Sequence, residues 1–149
     1  MTRPAHILLV EDNRMDVELT LDAFRERRLG NSVHTASNGQ AALDYLNGVG
    51  DFADRRAHPL PDLILLDLKM PVMDGHEVLK RIKRSPHLRR IPTIVLTSSK
   101  EEGDLAMSYD NGANSYLVKP VSFDGFLEVV ESIADYWLTL NMPAPQDPK

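Results

Sequence analysis

A chain of 149 residues, 42% hydrophobic and 26% charged, fits one soluble globular domain with a core of its own. Its net charge of -5 disfavours binding of nucleic acid or an anionic membrane by the surface as a whole. The absence of cysteine excludes disulfides, thiolate catalysis and cysteine-based zinc sites. No apolar run suits a signal peptide or a membrane span, so the expected location is cytoplasmic, with neither nucleic acid nor membrane as partner.

The chain begins with a short apolar run over residues 5–10, read as a buried strand ending at Glu11 and Asp12. A helix is predicted over 14–28, with Asn13 as N-cap, Val17, Leu21 and Phe24 at helical spacing, and Gly30 as a stop. A weaker strand over 32–36 leads through Asn38-Gly39 to a helix over 40–47. Such alternation predicts a parallel sheet covered by helices on both faces. Residues 48–61 form a polar connection longer than most loops and are expected to be a surface excursion.

Leu63 to Leu66 are a continuous apolar run, the pattern of a strand buried on both faces. The run stops at Asp67, and Gly75 opens a helix to about residue 84. A strand over 92–97 ends in Thr97-Ser98-Ser99. The helix predicted over 101–110 is weak, because Gly103, Ser108 and few large apolar residues give it little propensity or packing. The last strand, 115–118, runs into Lys119-Pro120, and Ser122 caps a final helix to about residue 140. There Phe126, Val130, Ile133 and Trp137 trace a core-facing stripe, with Val129, Tyr136 and Leu140 beside it. The expected organisation is one domain over 1–142, a disordered Pro-rich tail over 143–149, and no further domain.

Ligands of open parallel sheets bind where the strands end. Those ends bring together Glu11-Asp12, Asp67, Thr97-Ser98 and Lys119. Two unit charges about 4 Å apart repel by about 4 kcal/mol at an effective dielectric near 20, so the acids need positive charge. Mg²⁺ suits an all-oxygen site, and a lysine takes part of the load. The set suits phosphoryl transfer to a carboxylate, with Asp67 as nucleophile and Thr97 and Lys119 holding phosphoryl oxygens.

The sequence resembles the response-regulator receiver domains of two-component signalling over nearly its whole length. The likeness rests on Glu11-Asp12, Asp67 followed by Met70-Pro71 and Asp74-Gly75, Thr97 after an apolar strand, and Lys119-Pro120. It implies a doubly wound α/β fold with five parallel strands in order 2-1-3-4-5. It implies that Asp67 accepts a phosphoryl group from a histidine kinase. Asp12, Asp67 and the backbone carbonyl of Lys69 would bind Mg²⁺ (or Mn²⁺), with Glu11 acting through water. Thr97 would move toward the phosphoryl group and let Tyr116 turn inward, Ser98 is a further hydroxyl candidate, and the Lys119–Pro120 bond would be cis. Lys69 and Ser99 occupy positions that tune the lifetime of the modified state. The long connection, DLILLDLKMP, IPTIVLTSS and ADYWLTLNMP are similar to single-domain regulators that partner phytochrome histidine kinases. That likeness implies a homodimer through the last strand, last helix and C-terminal segment, and signalling to a downstream protein through protein–protein binding.

Other readings fit less well. A phosphatase of the haloacid dehalogenase type wants a second acid where Lys69 stands, and a scaffold that is never phosphorylated would not need the complete site. A glycine-rich turn for a dinucleotide is missing after the first strand. The basic residues Lys80, Arg81, Lys83, Arg84, Arg89 and Arg90 are read as a solvated face. The five histidines show no metal-ligand spacing and are read as structural or surface residues.

Overall fold

The computed structural model describes residues 5–28 and 33–145. Five strands, β1 (Ile7–Val10), β2 (Val33–Ala36), β3 (Leu63–Leu66), β4 (Thr93–Thr97) and β5 (Ser115–Val118), form one parallel sheet in the order β2-β1-β3-β4-β5. The helices are α1 (Arg14–Glu26), α2 (Gly39–Asn47), α3 (Gly75–Arg84), α4 (Glu102–Asp110) and α5 (Phe123–Asp135). The predicted fold class and strand order are those observed.

Side chains alternate across each strand, so every apolar run feeds two cores. Ile7, Leu9, Leu63, Leu65, Ile94 and Leu96 pack with Phe24 of α1 and Phe126, Val130 and Ile133 of α5. Leu8, Val10, Ile64, Leu66 and Val95 pack on the opposite face with Leu43 and Leu46 of α2 and Val78, Leu79 and Ile82 of α3. Burial of both faces is why these strands read as unbroken apolar stretches.

Several boundaries differ from expectation. Helix α1 stops at Glu26, and Arg28 has a left-handed φ of 61°, which no helix continues. The start of the predicted second strand and the Gly30 stop lie outside the described residues. Helix α5 ends at Asp135 and passes into a π-helical turn, Tyr136–Leu140, closed by Asn141 N–H donating to the Tyr136 carbonyl at 2.6 Å.

The 48–61 connection is more than a surface excursion. It holds a 3₁₀ turn, Gly50–Phe52, and Arg55 donates to the carbonyls of Tyr45 and Leu46, each at 2.7 Å, at the end of α2. The Tyr45 hydroxyl donates to the Pro59 carbonyl at 2.9 Å. Tyr45, Phe52, His34, His6 and His58 form a contiguous ring cluster there, which gives three of the five histidines a structural place. One basic residue also departs from the solvated reading. Lys83 donates to the carbonyls of Arg89 and Ile91, each at 3.1 Å, and to Asn114 Oδ1 at 3.0 Å, and burial lowers its pKa to about 8.

Candidate functional site

Parallel register builds the site. Val10 lies opposite Leu66, so the residues that follow, Glu11-Asp12 and Asp67, leave the sheet side by side. The Asp67 N–H donates to the Val10 carbonyl at 3.0 Å, holding the two ends together. Glu11, Asp12 and Asp67 offer carboxylate oxygens that all lie within 4.8 Å of one another. Glu11 and Asp67 are only 3% and 7% exposed, whereas Asp12 faces solvent.

Farther along the edge, Thr97 lies opposite Val118, and the next residue is Lys119. Its N–H donates to the Thr97 carbonyl at 2.7 Å. Its Nζ donates to Glu11 Oε1 and, at 2.8 Å, to Asp16 Oδ2, and lies 3.6 Å from Asp67 Oδ2. One ammonium therefore serves three carboxylates. Burial works against the Lys119 charge, but Asp16, Glu11 and Asp67 outweigh it, and its pKa moves up. Burial raises the Glu11 pKa to about 7, with Lys119 opposing and the Asp67 charge adding.

A single lysine does not balance four acids, and the site retains unmet demand for positive charge. Asp67 Oδ1 is buried without a hydrogen-bond donor among the described residues. An oxygen in that state is costly unless something binds it. The residues therefore fit a hard cation: oxygen donors close together, carrying more negative charge than their lysine neutralises.

The wall behind Asp67 is backbone. Gly75, the first residue of α3, lies so close that a Cβ there would fall 2.2 Å from the Asp67 carbonyl oxygen. Only glycine permits this approach. Asp74 caps α3 by accepting from Glu77 N–H at 3.0 Å. Between Asp67 and Asp74 the chain turns through Val72, a β-branched residue held at φ 68° and fully exposed.

The remaining expected residues divide. Thr97 is fully buried at the strand end, and its Oγ1 accepts from Ser99 N–H at 3.4 Å. Ser98 is exposed. Tyr116 is half-buried, and its hydroxyl donates to the Ser99 carbonyl at 3.0 Å. The Lys69 side chain points to Asp104, 3.1 Å away. The Lys119–Pro120 bond is trans, contrary to expectation, since the described residues contain no cis peptide. Trans is preferred by about 0.5–1 kcal/mol even before proline, and here Lys119 reaches its acids without the alternative.

Sequence reasoning passed over Asp16, His76 and Asp104. Asp16 lies in the first turn of α1, after the Asn13 cap, and only its contact with Lys119 in the folded chain brings it to the site.

Comparison with known proteins agrees with this geometry. Residues 7–131 match the family described as response regulator receiver domain. The chain belongs to that family of two-component signalling proteins. It is 45% identical over 143 residues to the probable methanogenesis regulatory protein FilR2 of Methanothrix harundinacea, covering 95% of this chain and 90% of that one. The structure of the phosphorylated cyanobacterial phytochrome response regulator RcpA superposes with a TM-score of 0.89 at 37% identity, covering 96% of this chain and all of that one. The Mn(2+)-bound form of Rcp1, a regulator from Synechocystis, superposes with a TM-score of 0.85 at 36% identity, covering 95% and 100%. The chain thus resembles phytochrome-associated response regulators, and among its described residues no helix is long and apolar enough to cross a membrane.

Proposed function

We propose that this receiver domain signals by accepting a phosphoryl group on Asp67 from a histidine kinase. The observation that carries this reading is the buried Asp67 carboxylate, which has Lys119 on one oxygen and, among the described residues, no donor on the other. In the transfer, a carboxylate oxygen of Asp67 attacks phosphorus, the P–N bond to the kinase histidine breaks, and its imidazole leaves with the electron pair. Mg²⁺ or Mn²⁺ would be held by Asp12, Asp67 and the Lys69 carbonyl, with Glu11 acting through water, and would supply charge that offsets the phosphoryl oxygens. The Mn(2+)-bound form of Rcp1 supports a divalent ion at these acids.

Lys119 then pairs with a phosphoryl oxygen, and Thr97, with Ser98 as the exposed neighbouring hydroxyl, closes on another. Tyr116 follows Thr97 inward. Its own phosphotransfer and dephosphorylation are the only reactions this reading gives the chain, and its output is altered binding to a downstream protein. A phytochrome histidine kinase is the proposed donor, supported by the likeness to RcpA. The proposed setting is the cytoplasm, with residues 1–142 as one receiver unit. Tyr136 and Leu140 are 51% and 72% exposed and support a homodimer through the last strand, last helix and C-terminal segment.

Intact mass after incubation with Mg²⁺ and acetyl phosphate tests the reading. One phosphoryl adduct is expected, abolished by prior chelation and absent in Asp67→Ala. No adduct in the unsubstituted chain would leave a phosphorylation-independent scaffold as the better account.

A further inference from the structure

Helix α4 packs differently from the other helices. Its one buried side chain is Ser108, so little apolar burial holds it to the sheet. Its first turn is instead tied by a single carboxylate. Asp104 Oδ2 accepts from Ser99 Oγ at 2.6 Å and lies 3.1 Å from the Lys69 ammonium, while Oδ1 accepts from His76 Nε2 at 3.0 Å. A carboxylate only accepts, so Nε2 carries the His76 proton. The other ring nitrogen, Nδ1, is buried without a partner among the described residues. That cost is tolerated in making the Asp104 bond.

The three donors come from three places: the loop after β3, the first turn of α3 and the loop after β4. Two of them, Lys69 and Ser99, follow Asp67 and Thr97 by two residues. The Ser99 carbonyl also accepts from Tyr116, which extends the joint to β5. Ser99, His76 and Lys69 hold the Asp104 carboxyl well below the usual carboxylate range, so it is charged.

We propose that Asp104 is the latch of α4: it occupies Lys69 and Ser99 while Asp67 is unmodified, and a phosphoryl group on Asp67 draws those donors away and releases the first turn. This rests on the phosphoacceptor reading above. A phosphoryl group brings roughly -1.5 to -2 of charge and three strong acceptor oxygens, against one unit on Asp104. Lys69 is free to change partners, since its side chain is 57% exposed on a flexible stem. Competition between the two anions then makes the helix respond to the site. Few apolar contacts have to be broken, so a modest difference in contacts shifts the population.

Hydrogen exchange of the full chain, read by mass spectrometry with the adduct measured on the same sample, tests the latch. Loading the unsubstituted chain should speed amide exchange over the first turn of α4 by about tenfold or more, a local opening, while α5 stays protected. Asp104→Ala should exchange fast there without loading and gain little on loading. Asp104→Asn keeps one of the two acceptor oxygens but loses the charge toward Lys69, and should fall between. Failure of the phosphoacceptor reading has its own signature, the absence of an adduct. The latch is overturned by an adduct without change over α4, or by unloaded Asp104→Ala exchanging like the unsubstituted chain.

Discussion

Helices α4 and α5 follow neighbouring strands of one sheet and are held by opposite means. Phe126, Val130, Ile133 and Ala134 of α5 are buried against the sheet and α1. Each fully buried large apolar side chain contributes about 1.5–3 kcal/mol, and the contribution does not depend on any single geometry. Helix α4 exposes Leu105, Met107 and Tyr109 and is fastened through Asp104. Polar ties of this kind depend on direction and charge, so a new charge nearby can redirect them. The contrast separates a frame that must not move from an element that can.

The apolar side is broken most directly by Phe126→Ala. A loss of about 3–5 kcal/mol is expected from denaturant unfolding, because a large buried ring leaves a cavity between α5 and the sheet. The charged site should instead respond to pH. Glu11 holds its proton to about pH 7 when folded and to 4.5 in its unperturbed state. Between those values the folded chain binds more protons, so the Glu11 contribution to stability falls as pH rises through the window. A cation held beside Glu11 favours its ionised form, so apparent affinity should rise with pH toward about 7 and then level off in calorimetric titrations with Mg²⁺. A flat profile would remove Glu11 from the cation site.

On α4, substitutions should be mild. Leu105→Ala, at a position 40% exposed, should change stability by no more than about 0.5 kcal/mol. No loss at all is expected at Ser108, whose hydroxyl is buried without a partner among the described residues. Ser108→Ala should cost nothing, or stabilise by up to about 1 kcal/mol, since no hydrogen bond is lost. A substantial loss at either position, measured in the same unfolding assay, would mean that packing holds α4 after all.

Much of this was legible in the chain itself. Strand runs buried on both faces are continuous in sequence, so β1, β3 and β4 and the acids that follow β1 and β3 could be read directly, while the strand order came from the family resemblance. Asp67, Asp12, Thr97 and Lys119 were legible for the same reason: each closes a strand or follows its end within two residues, and parallel register aligns strand ends. Element boundaries were less secure where local geometry intervenes, as at the left-handed Arg28 and the π-turn after Asp135.

What the tertiary structure alone decided are the partnerships between residues far apart in sequence. Asp16 with Lys119, Asp104 with His76 and Lys69, and Lys83 with Asn114 are joined only after the helices dock. A charged side chain carries no periodic signal. Its partner is set by the direction in which two packed elements present their atoms, and that direction exists only in the folded chain.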